Sequence, residues 1–116
     1  MSRVLIAEPS ADIRALLEHV VARAGHYPIQ YQRSRHGRLP DVDVLLLEPA
    51  LVGGIELASR LRAEQPHVAI VICSIFSPGP QTQELDPVAY VLKPFPRETL
   101  EEALRLAVAT AARSAF

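Results

Sequence analysis

Asp41–Gly54 reads DVDVLLLEPALVGG, and the fold turns on how this stretch is read. Val44, Leu45, Leu46 and Leu47 form an unbroken apolar run that stops at a carboxylate, Glu48, and a proline, Pro49. A run that short, bounded by turn residues, suits a strand buried on both faces of a parallel sheet. In open α/β sheets the functional crevice lies beyond the carboxyl ends of the strands, and Glu48 would stand there. Taken alone, Glu48 is an acid at a strand's exit into solvent. It becomes a candidate because two further strand ends deliver polar groups, Glu8 and Lys93.

Working outward from this strand, Gly53 and Gly54 let the chain turn back. Ile55, Leu57, Ala58 and Leu61 then predict a helix that Pro66 ends. Val68–Ser74, VAIVICS, is a second near-continuous apolar run and a buried strand, with Cys73 a small core residue inside it. Ile75–Pro87 carries Pro78, Gly79, Pro80 and Pro87, which leaves room for one helical turn around Thr82–Leu85. Val88–Leu92 predicts the last strand, and Lys93, Pro94, Phe95 and Pro96 follow. Pro96 suits a first helical position. Leu100, Ala103, Leu104, Ala107, Val108 and Ala111 line one face of the closing helix, with acids near its start and arginines later, as the helix dipole favours.

On the other side, Val4–Ala7 predicts the first strand, which Glu8, Pro9 and Ser10 break. Ser10 is a natural N-cap for a helix over 11–24, with an apolar face of Ile13, Leu16, Leu17, Val20, Val21 and Ala24, and Gly25 closes it. Tyr27–Tyr31 predicts a short second strand. Gln32–Pro40 has no apolar period and carries Arg33, Arg35, His36 and Arg38, a solvated basic loop or a docking patch for an acidic partner. Five strands separated mostly by helices predict a doubly wound parallel sheet with helices on both faces, the second and fourth crossover helices being reduced.

Composition sets the bounds. The 116 residues fit one domain, with 49% hydrophobic and 22% charged residues. A net charge of −1 gives no reason to expect nucleic acid or a membrane surface as a partner. The single cysteine excludes an internal disulfide and fits a reducing cytoplasm. No apolar run approaches the ~20 residues that span a membrane, and the N-terminal MSRVLIAEPS lacks a signal-peptide pattern. His19, His26, His36 and His67 show no metal-ligand spacing and are expected at the surface.

Four segments in order, VLIAEPSADIRALL, DVDVLLLEPALVGGIEL, AIVICS and AYVLKPF, together resemble a response-regulator receiver domain, over essentially the whole chain. The resemblance implies the flavodoxin-like fold with strand order 2-1-3-4-5. It also implies a chemistry: transfer of a phosphoryl group from a histidine kinase to an aspartate after the third strand. A magnesium ion held by neighbouring acids assists by neutralising charge in the transition state. By resemblance, Lys93 with Pro94 and Phe95 matches the phosphoryl-binding lysine and its KPF signature. Ser74 matches the switch hydroxyl, Tyr90 the switch aromatic, and Glu8 the first acid of the metal pair.

Two positions depart from that pattern. Pro9 falls on the second acid, the direct metal ligand, and has no side-chain ligand to offer; Glu48 falls on the phosphoacceptor. A glutamate is one methylene longer than an aspartate, and its oxygens reach where a phosphoryl group would be. The loop after Glu48 is also shorter than the family's, with Leu51–Val52 replacing its usual proline. The expectation is therefore an atypical receiver that is not an enzyme, has no cofactor beyond weak magnesium binding, and signals through protein contacts. Its partner would be a histidine kinase, an output domain or a second copy, with Glu48 imitating phospho-aspartate by pairing with Lys93. The alternatives are a working phosphoacceptor phosphorylated by a histidine kinase, and a small-ligand module in the strand-end crevice, for which no Gly-rich phosphate loop speaks.

Overall fold

A computed structural model describes residues 1–32 and 37–114. Five strands, β1 (Arg3–Ala7), β2 (Tyr27–Gln30), β3 (Val44–Leu47), β4 (Ala69–Ser74) and β5 (Ala89–Leu92), form one sheet in the order β2-β1-β3-β4-β5. Every pairing is parallel, with Val4 opposite Val44, Val44 opposite Ala69 and Val71 opposite Ala89. This is the doubly wound, flavodoxin-like topology that the apolar runs and the receiver resemblance predict.

The period of two along each strand sorts the core into two layers. On one face Val4, Ile6, Val44, Leu46, Val71 and Cys73 pack beneath α1 (Ala11–Arg23) and α4 (Arg97–Ser114). On the other, Leu5, Ala7, Leu45, Leu47, Ile70 and Ile72 pack beneath α2 (Gly54–Glu64). All four residues of β3 and all six of β4 are buried, as central parallel strands require. β2 is an edge strand and largely exposed, which is why it tolerates Pro28.

The helix ends follow their residues. Ser10 Oγ accepts the amide N–H of Ile13 at the start of α1. The face of that helix is narrower than its sequence stripe predicts: Leu17, Val20 and Val21 are buried, whereas Leu16 and Ala24 are exposed. Gly53 takes a left-handed φ of 78° ahead of α2. A Cβ on Gly54 would lie 3.1 Å from Leu47 Cδ1 and 3.3 Å from the Glu48 carbonyl oxygen, so a side chain here would crowd the end of β3. α4 opens at Arg97, one residue after Pro96, whose carbonyl accepts from the Thr99 amide.

The fourth crossover is reduced, as predicted. Among the described residues between β2 and β3 there is no helix, and the basic residues Arg33, Arg35 and His36 lie outside the described residues. The fourth crossover keeps a single short helix, α3 (Pro80–Glu84), which starts two residues earlier than the turn expected at Thr82. The cause is Thr82 itself: its buried hydroxyl accepts from the Gly79 amide at 3.0 Å and donates to the Gly79 carbonyl at 2.9 Å, fixing the first turn onto Pro80.

Two side chains near the end of α2 hold these thinned connections. Gln65 accepts the Val42 amide and donates to the Pro40 carbonyl. Arg62 donates to the carbonyls of Val68 (2.7 Å) and Leu85 (3.0 Å), joining β4's start to the segment before β5. Periodicity does not reveal either tie, because both residues read as the polar side of a helix end. The histidines correct the surface expectation in part. His19 is exposed, but His26 and His67 are half-buried; His26 Nδ1 accepts the Ser2 amide, and His67 Nε2 lies 3.0 Å from the Val42 carbonyl.

Candidate functional site

β1 and β3 are neighbours in the sheet and β5 lies beyond β4 at its edge, and the carboxyl end of each is followed at once by a polar residue and a proline: Glu8-Pro9, Glu48-Pro49 and Lys93-Pro94. The parallel register brings the three polar side chains together. Lys93 Nζ donates to Glu8 Oε1 at 2.6 Å and to Glu48 Oε1 at 2.9 Å. All three are shielded from solvent, the side chains being 9% (Lys93), 2% (Glu8) and 6% (Glu48) exposed.

The remaining carboxylate oxygens are also committed. Glu8 Oε2 accepts the Ser10 amide at 3.0 Å, and Glu48 Oε2 accepts the Ala50 amide at 3.0 Å. In each case the chain turns over the intervening proline, so the amide two residues on folds back onto the carboxylate. Hydrogen bonds to charged groups of this kind are stronger than neutral ones. Arg14, in the first turns of α1, donates to the Glu8 carbonyl and ties the β1 exit to the helix.

One ammonium thus serves two carboxylates. Burial presses the Lys93 amine toward its neutral form, but its hydrogen bonds to Glu8 and Glu48 outweigh that and raise its pKa above the ordinary value. Cys73, buried one strand away, is pushed up to about 12, chiefly by burial; the nearby Lys93 charge opposes the shift, and the carboxylates of Glu8 and Glu48 reinforce it. It is a packed thiol and no nucleophile at neutral pH.

The other candidates lie close by but do not join this cluster. Pro9 is exposed and contributes no ligand. Ser74 is buried, and its Oγ accepts the Phe76 amide at 3.2 Å without reaching Glu48. Tyr90 donates its hydroxyl to the Phe76 carbonyl at 2.8 Å. Ser74 and Tyr90 therefore hold the two peptide groups that flank Phe76 in the β4–α3 loop. The amides of Ser10 and Ala50 were not legible as site groups, although the repeated Glu-Pro dipeptide was their signal. Among the described residues there is no cluster of three or more metal-ligating side chains, and no helix is long and apolar enough to cross a membrane.

The fold is the one shared by response-regulator receiver domains. The signal receiver domain of a modulated diguanylate cyclase from Desulfovibrio desulfuricans superposes with a TM-score of 0.81 at 22% identity, over 97% of this chain and 98% of that one. The response regulator TrrA from Thermotoga maritima, solved with Mg²⁺ and BeF, superposes at 0.78 and 20% identity over 92% and 99%. NtrX from Brucella abortus superposes at 0.80 and 18% identity, over 98% of this chain but 29% of its own. By sequence, the chain is 32% identical over 104 residues to protein-glutamate methylesterase/protein-glutamine glutaminase 2 of Hahella chejuensis, a match covering 79% of this chain and 28% of that protein. The chain therefore spans well under half the length of that curated relative. No family model matches the chain.

Proposed function

We propose that this chain is an atypical receiver module of a two-component-type signalling protein, acting through protein contacts without aspartate phosphorylation. In this reading Glu48 stands at the phosphoacceptor position and its carboxylate replaces the phosphoryl group as the partner of Lys93. The observation that carries it is the 2.9 Å contact between Lys93 Nζ and Glu48 Oε1 inside a buried cluster. The extra methylene of glutamate gives the carboxylate that reach. Ser74 and Tyr90, the switch equivalents, are engaged with Phe76, so the imitation works through the lysine.

The same cluster argues against the usual chemistry. An attacking carboxylate needs a free oxygen facing the phosphoryl donor, whereas Glu48 has one oxygen on Lys93 and the other on the Ala50 amide. A magnesium ion needs oxygen ligands at near-octahedral geometry and gives up water reluctantly. Here Pro9 supplies none, and the lysine ammonium already sits between the two remaining acids. We accordingly assign no cofactor beyond weak magnesium binding, no enzymatic activity and a cytoplasmic setting. The partner would be a histidine kinase, an output domain or another copy. The methylesterase and glutaminase activities in the Hahella relative's name are said of that longer protein.

The test is exposure to acetyl phosphate with magnesium, followed by intact-mass spectrometry, beside a conventional receiver under the same conditions. No phosphoryl adduct is expected here. An adduct mapped to Glu48 would overturn this reading in favour of a working phosphoacceptor.

A further inference from the structure

β2 is the edge of the sheet on the side away from Lys93. Beside it lies a cavity of about 750 Å³, bordered by that strand, the segment leading into β3 and Arg60 of α2. Strand register sets its apolar wall. Leu5 and Ile29 stand opposite each other in the β1–β2 pairing, Tyr31 follows on the same face, and Leu39 extends the row. Leu5 is fully buried, whereas Ile29, Tyr31 and Leu39 are half-buried, and among the described residues the second crossover brings no helix over them.

Two guanidiniums border this wall, those of Arg38 and Arg60, against one carboxylate, Asp41. Arg60 pairs with Glu64 through Nε at 2.6 Å, which leaves its two terminal nitrogens for another acceptor. By sequence, Gln32–Pro40 carries three arginines and no acid in a chain of net charge −1, so this stretch attracts anions although the chain as a whole does not.

We propose that the cavity is a binding site for a small organic anion, an aromatic body carrying a carboxylate or phosphate group. The body would lie against Ile29, Tyr31 and Leu39, and the oxyanion would accept from Arg38 and Arg60. A planar ligand suits both sets of groups: aromatic rings stack with a tyrosine, and guanidiniums donate in parallel to a carboxylate or phosphate. The volume falls within the range of small-molecule sites, about 300–1,000 Å³. A peptide added to the sheet as a further strand fits less well. Pro28 has no amide hydrogen, and the amides of Tyr27 and Tyr31 already donate to the Ser2 and Ile6 carbonyls, so the edge of β2 offers an incoming strand few donors. Neither Glu48 nor Lys93 borders the cavity, and the proposal is independent of how that pair is read.

The test uses anilinonaphthalene sulfonate, an aromatic anion whose fluorescence rises in an apolar site, with phenylnaphthylamine as its uncharged counterpart. Saturable one-to-one binding of the sulfonate is expected, with NMR shift changes centred on Ile29, Tyr31 and Leu39. Arg38→Gln and Arg60→Gln should each raise its dissociation constant at least about fivefold, through loss of a charge-assisted hydrogen bond. Both arginines are exposed, so these variants should leave the thermal midpoint and the binding of the uncharged probe nearly unchanged. Absence of saturable binding up to about 1 mM would overturn the proposal. So would shifts centred on another face, or sulfonate binding indifferent to both arginines. A glutamate-rich peptide that shifts these amides when the sulfonate does not would refute it in favour of a macromolecular partner.

Discussion

Glu8 and Glu48 are held in the same way: each gives one carboxylate oxygen to Lys93 Nζ and the other to the amide two residues farther along its own chain, across a proline. The two acids come from different strands, yet the arrangement is repeated because both strands end in Glu-Pro at corresponding places in a parallel register. Lys93 is shared between them, so the cluster holds two negative charges against one positive charge. The consequences for stability are unequal for the three residues.

Removing the lysine leaves two buried carboxylates uncompensated, whereas removing one acid leaves a neutral pair. Lys93→Met should cost about 3–5 kcal/mol, the range for breaking a buried ion pair. Glu48→Gln should cost about 1.5–3 kcal/mol, the value of a single hydrogen bond to a charged group. Lys93→Met combined with Glu48→Gln should recover part of the loss. Denaturant unfolding of the single and double variants measures this as a double-mutant cycle. Strictly additive effects would mean that Glu48 and Lys93 do not communicate, and the imitation of phospho-aspartate would fail with them.

Magnesium should not saturate the strand-end site at millimolar concentration. The amides of Ser10 and Ala50 report directly on the two carboxylates, and a magnesium titration followed by their NMR shifts is expected to leave them nearly still. A saturating shift at physiological concentration would show that the ion displaces the Lys93 ammonium.

Restoring one residue should not restore phosphotransfer. Glu48→Asp shortens the side chain but leaves Pro9 in place of a metal ligand, so this variant should remain unmodified by acetyl phosphate. Adding Pro9→Asp supplies the missing acid, and a magnesium-dependent phosphoryl adduct is expected only in the double variant. An adduct on Glu48→Asp alone would locate the defect entirely in the side-chain length.

Stability should fall at alkaline pH in two superposed stages. The Cys73 thiol rises from 9.0 to about 12 on folding, so the folded state holds this proton more tightly than the unfolded chain does. Its stabilisation is complete below pH 9 and is lost as pH rises from there toward about 12. Lys93, also raised, loses its contribution in the same direction, starting from its ordinary value of 10.5. Each group contributes a slope of at most about 1.4 kcal/mol per pH unit. Cys73→Ala should flatten the decline between pH 9 and 10.5 in a chemical-denaturation series; an unchanged slope would mean that the thiol is not held neutral by burial.

Arg62 bridges β4's start and the segment before β5 by donating to two carbonyls that no helix covers. Arg62→Ala should lower stability by about 1–3 kcal/mol, the cost of leaving buried acceptors unpaired. Hydrogen exchange should rise first around Leu85 and Val88, since the short α3 offers little else to hold them. Uniform loosening of the whole sheet would show that the tie has no local role.

The linear chain determined the sheet almost completely. Unbroken apolar runs such as Val44–Leu47 and Ala69–Ser74 bury both strand faces, and that alone implies parallel pairing with helices above and below. The same runs fixed where Glu8, Glu48 and Lys93 would stand, because a residue that follows a parallel strand emerges at its carboxyl end. Only the tertiary structure decided what those residues do there. Lys93 contacts two acids that lie 85 and 45 positions away in the chain, so no local pattern encodes that one ammonium is shared between them. Ser74 and Tyr90 engage the Phe76 backbone instead of Glu48, Ser74 Oγ accepting its amide and the Tyr90 hydroxyl donating to its carbonyl. The ties made by Arg62 and Gln65 were hidden for a related reason, since a polar residue at a helix end reads as solvated until a carbonyl from a distant loop is brought within hydrogen-bonding reach.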